Sequence, residues 1–398
     1  MPPLFLMRFL VFLMNKPNLE LADIFRKHSG KLGALREDQW RVVSNITNCR
    51  THVLGGHKLK CNNCEHSKYA YHSCRNRHCP KCQYLARIKW IEKRTQDVLP
   101  CEYFHVVFTI PSELRRLFLR NKKLCYNILF KASSDTLKEV AENPKNLGAQ
   151  IGFIGILHTW TQNLMDHPHI HYIVPAGGLN KNNKWVKCKQ DYLLPIKILS
   201  KVFKAKMLEL IREYYNENEL ELTHSLEHLS APHIFDGFML DLAKKDWVVY
   251  AKKPFAGPSQ VINYLGQYTH RIAISNYRII KLEDGHVFFK VRDKKNPGKS
   301  KIAKLKVTEF MRRFLLHVLP KKFVRIRHFG LLANRSRKVK VEIIRRIHGI
   351  VEKVEQELKQ SWKELINKHI GVDIRACPKC SCGVLEEVQE YPNLLNTS

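Results

Sequence analysis

Three groups of side chains in this chain have the types and spacing for chemistry. HPHIHYIV (167–174) sets two imidazoles two residues apart. In an extended strand that spacing puts His169 and His171 on one face and Ile170, Tyr172 and Val174 on the other. Two imidazoles on one rigid strand can chelate a divalent ion and leave positions for a phosphate oxygen and one more protein ligand. His167 is the candidate for that third place. Further on, Gly257-Pro258 opens a predicted helix over 259–272, with proline suited to a first helical position and Tyr264 and Tyr268 four residues apart, so both phenols reach one site. A phenol with a pKa near ~10 attacks a phosphodiester only when an ion or base favours its phenolate, and a histidine-bound ion would do so. The bland alternative is an apolar stripe of Val261, Leu265, Tyr268 and Ile272 that only packs.

The third group is cysteine. Cys61-x-x-Cys64 and Cys79-x-x-Cys82 have the spacing of a four-cysteine zinc ribbon, and a shell closed by four thiolates leaves no open position, so that ion would be structural. Cys49, His57, Cys74 and His78 fall in the same stretch, either as a second site or as substitutes in the first. Cys377-x-x-Cys380-x-Cys382 supplies three more thiols with no fourth ligand beside them in the sequence.

These residues need elements to hold them. A helix is expected over 20–46 and a basic helix over 85–99. Strands are expected at 103–110 (YFHVVFTI), 151–162, 169–174 and 247–251 (WVVYA), and a hairpin joins 277–282 to 286–292 through Asp284-Gly285. Helices separate the strands irregularly, which predicts an α+β fold with a mainly antiparallel sheet flanked by helices. Three regions follow: 1–100 as an N-terminal helical and zinc-binding domain, 101–335 as the domain of the histidines and tyrosines with a helical insertion at about 195–235, and 336–398 as a basic helical region with a Cys-containing tail.

Charge indicates the partner. The 398 residues hold 68 Lys plus Arg against 36 Asp plus Glu, a formal charge of +32 spread along the chain. Such an excess disfavours compactness by self-repulsion, whereas a nucleic acid absorbs it through phosphate neutralisation. Lys252, Lys253, Arg271, Arg325, Arg327, Arg335, Arg337 and Lys338 are the candidate DNA contacts. The apolar opening, residues 1–14, is interrupted by Arg8 and too short to span a bilayer. It lacks the basic leader and cleavage site of a secretory signal. Clustered thiols without such a signal point to a reducing, cytoplasmic location, nucleoid-associated when on DNA, with no membrane partner.

Taken together, SCRNRHCPKCQ (73–83), HPHIHYIVPAGGL (167–179), KPFAGPSQVINYLGQYTHRIAISNYR (253–278) and IRHFGLLANR (326–335) closely resemble the two-tyrosine HUH transposases of rolling-circle insertion elements, the IS91 type. The resemblance runs from about Leu21 to Arg335. It implies a small zinc-ribbon-like domain ahead of an HUH nuclease domain, with His169 and His171 as the histidine pair and Tyr264 and Tyr268 as the nucleophiles. It further implies Mg2+ or Mn2+ at the histidines, Zn2+ in the cysteine module, single-stranded DNA at element ends and target DNA as partners, and a 5'-phosphotyrosine intermediate without ATP. Two competing expectations are a replication initiator or relaxase with the same chemistry, and a zinc-dependent DNA-binding protein with none.

Overall fold

The computed structural model describes residues 17–95, 97–189, 193–255, 261, 266, 269–293, 295–350, 361–371 and 373–396. Residues 1–14, Tyr264 and Tyr268, on which three of the expectations fall, lie outside the described residues. The strands in chain order are β1 (Gly56–Cys61), β2 (Ser67–Tyr71), β3 (Tyr103–Thr109), β4 (Gly152–Trp160), β5 (Asp166–Pro175), β6 (Gly177–Leu179), β7 (Trp185–Lys187), β8 (Val249–Phe255), β9 (Ile279–Glu283), β10 (His286–Arg292), β11 (Ser300–Lys306), β12 (Ile326–Gly330) and β13 (Leu385–Tyr391). Helices alternate with them irregularly and the pairings are antiparallel, so the α+β expectation holds. Among the described residues no helix is long and apolar enough to cross a membrane.

The central sheet has the order β12-β4-β5-β3-β8. Its interior strands β3, β4 and β5 are largely buried on both faces, as strands covered on both sides are. On one face Phe104, Val106, Phe108, Phe153, Leu157, Ile170, Tyr172 and Val174 form a core with the helices Lys122–Glu142 and Ile196–Asn216. The buried Tyr172 hydroxyl is paired with Ser133 Oγ at 2.7 Å. Gly155 faces that ring across the strand pair; a Cβ there would sit 2.5 Å from Tyr172 Cε1, so the close approach requires glycine. On the other face Ile154, Ile156 and Ile173 pack against Val261, Leu331, Leu332, Val341 and Ile344. His169 and His171 belong to this second face, because β5 alternates them with Ile170 and Tyr172.

A second sheet, β9-β10-β11, packs with the helices Leu21–His28, Glu37–Asn48 and Val307–Leu316. Its first turn is the expected one: Asp284 and Gly285 both take positive φ, 48° and 69°, as a two-residue hairpin loop with right-handed strand twist demands. The single helix expected over 20–46 is instead two. A 3-10 turn at Ser29–Lys31 and a loop to Arg36 separate them, and glycines at positions 30 and 33 are poor helix formers that weaken propagation through this stretch. A third sheet, β13-β1-β2, joins the two ends of the chain: β13 pairs with β1 from Gly56 opposite Tyr391 to Cys61 opposite Leu385.

Candidate metal centres

Antiparallel register builds the histidine site. His158 of β4 lies directly across from His169 of β5, and directly opposed residues share a face at about 5 Å. Ligand nitrogens of His158, His169 and His171 all lie within 4.8 Å of one another. His167, the expected third ligand, is not in this group. It shares the face, but along a strand it is about 13 Å from His171 by the rise per residue, too far for both to reach one small ion. Its contribution is its carbonyl, 2.6 Å from His169 Nδ1. A carbonyl only accepts, so Nδ1 carries the proton and Nε2 keeps the lone pair for an ion, the usual arrangement behind a metal-ligating histidine.

His105 of β3 plays the matching part for His171. Its Nε2 is 2.7 Å from His171 Nδ1, the rings nearly parallel. With His105 accepting that proton, the other nitrogen of His171 is left for the ion. Burial holds these rings neutral: it pushes His169 and His105 down to about 4. His171 is driven well below the usual histidine range by burial and then by His158, His169, His105 and Arg271. Neutral imidazole is the form that binds a metal. Neither His105 nor His158 was singled out from sequence; each is one polar residue in an apolar strand, and only strand register reveals its partners.

The tyrosine segment can be followed through its described neighbours. Val261 is buried in the same apolar cluster as Ile154, Ile156 and Ile173 of the histidine face. Thr269 is buried as well, and its carbonyl accepts from Arg325 Nη2 at 2.7 Å, while the Arg271 carbonyl accepts from Nη1 at 3.1 Å. Arg271 lies close enough for its charge to lower both His169 and His171.

The candidate DNA contacts divide accordingly. Lys252, Arg335 and Lys338 are exposed, and the charge of Lys252 acts on His105. The side chain of Lys253 lies outside the described residues. Arg325 is corrected: at 8% exposure, with its guanidinium committed to two carbonyls, it holds backbone rather than phosphate. Arg327 is half-buried, lies over the Phe130 ring at 4.2 Å and bonds Asn127 on the face of the sheet opposite the histidines. Arg337 is half-buried and paired with Asp97 at 3.0 Å.

The cysteines form two clusters, not one ribbon. Cys49, Cys74, Cys79 and Cys82 bring their sulfurs within 4.8 Å of one another, and Cys61 and Cys64 do so with Cys377 and Cys380. Sulfur separations are 3.5 Å for Cys49 and Cys82, 3.6 Å for Cys74 and Cys82, and 3.7 Å for both Cys61–Cys380 and Cys64–Cys377. A tetrahedral ion with zinc–sulfur bonds of about 2.3 Å has edges of about 3.8 Å, so both sets fit zinc. In the first, hydrogen bonds from Cys49, Cys74 and Cys79 hold the Cys82 thiol far down, and the same crowding pushes buried Cys79 far up. Four such thiolates coexist only around a cation. His78 stays apart, with Nε2 3.4 Å from the Leu319 amide. His57 instead pairs with Glu387 and stacks edge-on to His72. Cys382 receives a bond from Asn63 Nδ2 and remains exposed.

Comparison with known proteins is consistent with both halves of this picture. Residues 20–110 match the family described as "Transposase zinc-binding domain" and residues 152–340 the family described as "Putative transposase". The chain is 41% identical over 385 residues, 95% of it and 97% of the relative, to "Putative transposase y4qJ" of Sinorhizobium fredii. It is 29% identical over 324 residues, 80% of it and 76% of the relative, to "Transposase for insertion sequence element IS801" of Pseudomonas savastanoi pv. phaseolicola. No solved structure matches. With zinc-fitting cysteine clusters, a three-histidine group on a sheet face and a relative matched along nearly its whole length, the chain belongs to the IS91 family of transposases with an N-terminal zinc-binding domain.

Proposed function

We propose that this transposase nicks and rejoins single-stranded DNA at the ends of an insertion element through a covalent 5'-phosphotyrosine link, as rolling-circle transposition requires. The observation that carries the reading is the His158, His169 and His171 group, on the sheet face against which Val261, from the same segment as the two tyrosines, is buried. Mg2+ or Mn2+ held there would polarise the scissile phosphate and ease departure of the 3'-oxygen.

The chain's own residues do the rest. His105 and the His167 carbonyl fix the ligating rings. Tyr264 or Tyr268 gives up its phenolic proton and its oxygen bonds to phosphorus as the P–O3' bond breaks, leaving a 5'-phosphotyrosine and a free 3'-hydroxyl. Arg271 offsets phosphate charge beside the ion. Attack by a 3'-hydroxyl on the phosphotyrosine reverses the step and rejoins DNA, so no ATP is needed, and a second tyrosine permits a second transfer. Exposed Lys252, Arg335 and Lys338 serve the backbone of element-end and target DNA, in the cytoplasm.

The test is strand transfer. A labelled single strand carrying the element end, mixed with an unlabelled acceptor and Mn2+, yields a longer labelled product if the reading is right. Cleavage into two fragments with an unmodified 5'-phosphate would contradict it, since that outcome is hydrolysis by water.

A further inference from the structure

The sheet β13-β1-β2 carries a feature that the histidine site does not use. On one face Tyr69 and Tyr71 of β2 and Tyr391 of β13 gather. The first two rings are stacked, centroids 6.0 Å apart and planes 6° from parallel, and Tyr391 lies 5.8 Å from Tyr69. Register explains the cluster. Gly56 of β1 stands between Tyr71 and Tyr391, and Lys58 between Tyr69 and Gln389. Gly56 has no side chain to fill the space; a Cβ there would sit 2.6 Å from the Ala70 carbonyl oxygen.

Aromatic residues on a sheet normally face a second layer. Here Tyr69 and Tyr71 are 54% and 38% exposed. Lys58 and Lys60 alternate onto the same face; Lys60 is paired with Glu65 at 3.1 Å, whereas among the described residues no ion pair holds Lys58, so the open charge is at the tyrosine end. Phenol rings beside a lysine suit a ligand with flat apolar faces strung on an anionic backbone, better than the aliphatic face of a protein partner. The chain's charge of +32 points the same way.

We propose that Tyr69, Tyr71 and Tyr391 form a stacking platform for the unpaired bases of single-stranded DNA, with Lys58 on its phosphates. Tyr391 reaches the platform through the second cysteine cluster: Cys377 and Cys380 pin the tail to Cys61 and Cys64, and β13 then pairs along β1. A zinc ion held by those four cysteines would thus complete a binding surface as well as tie the tail to β1. The proposal rests on the single-strand reading above in its choice of ligand.

Binding of the full zinc-loaded chain to labelled oligothymidylate, which has no element end to cleave, separates the two. Tyr69→Ala, Tyr71→Ala and Tyr391→Ala should each weaken binding about tenfold, with zinc content unchanged. Tyr69→Phe should bind as the wild type does, because the ring and not the hydroxyl is used. The slope of log affinity against log salt should stay constant in the tyrosine variants and shrink in Lys58→Ala. On an abasic strand with the same number of phosphates the alanine variants should equal the wild type. Alanine variants that bind oligothymidylate normally, or lose the abasic strand equally, would overturn the platform. If covalent adduct still formed with element ends in that case, the strand-transfer reading would survive; if base-dependent binding held and no adduct formed, the platform alone would stand.

Discussion

His158 stands directly across the β4–β5 pair from His169, and this cross-strand contact turns a two-histidine strand into a three-histidine group. The three histidines thus sit on two neighbouring central strands whose other faces are fixed in the main core. A site on packed strands holds its geometry better than one on loops.

The first prediction concerns ligand identity. His158→Ala should weaken Mn2+ binding at least tenfold and depress nicking as far as His169→Ala does, whereas His167→Ala, which keeps the carbonyl, should retain both within about threefold. Calorimetric Mn2+ titration and initial nicking rates decide it. The reverse order of effects would restore His167 as the third ligand.

The second concerns zinc. Two clusters predict two zinc ions per chain by elemental analysis, Cys79→Ser losing one and Cys61→Ser or Cys377→Ser losing the other. A single zinc, insensitive to Cys377→Ser, would favour the one-ribbon grouping.

Most of the scaffold was legible in the sequence, and the parts that were not share a cause. β3, β4, β5, β8 and the Asp284-Gly285 hairpin stand out because alternation, β-branched residues and turn chemistry are local. The ligand sets are not local. Cys61 and Cys64 resemble half of a ribbon completed by Cys79 and Cys82, yet their partners Cys377 and Cys380 come from the far end of the chain, delivered by β13. His158 reads as one polar residue in an apolar strand until β4 is set in register with β5. Arg325 reads as a phosphate contact because a charge count cannot distinguish a cation facing water from one spent on buried carbonyls.

A third prediction separates those two uses of arginine. Arg325→Ala leaves the Thr269 and Arg271 carbonyls without their buried donor and should destabilise the fold by about 2–4 kcal/mol. Arg335→Ala and Lys338→Ala should leave the urea midpoint unchanged and lower the salt slope of DNA binding by about one each. Equal stability of Arg325→Ala and wild type would refute the positioning role.

A fourth uses pH. Both carboxylate oxygens of Asp166 are buried without a hydrogen-bond partner among the described residues, and burial pushes the group up to about 7 against the pull of Lys122 and Arg115. Its unfolded value is near ~3.9. Between these values the folded state holds the proton more tightly, so stability from this group is present below pH 4 and is lost as pH rises to 7. Asp166→Asn should therefore change little at pH 4 and stabilise by on the order of 4 kcal/mol at pH 8. An equal gain at both pH values would show that ionisation is not involved.

The most direct test of the central claim is a covalent one. Incubated with a single strand carrying the element end and Mg2+ or Mn2+, the wild type should form an adduct that survives denaturing detergent. The adduct should vanish in the Tyr264→Phe, Tyr268→Phe double variant and in His169→Ala. Tight binding of the element end with no adduct under either ion, or an adduct that persists in the double tyrosine variant, would contradict metal-assisted tyrosine transfer at this site.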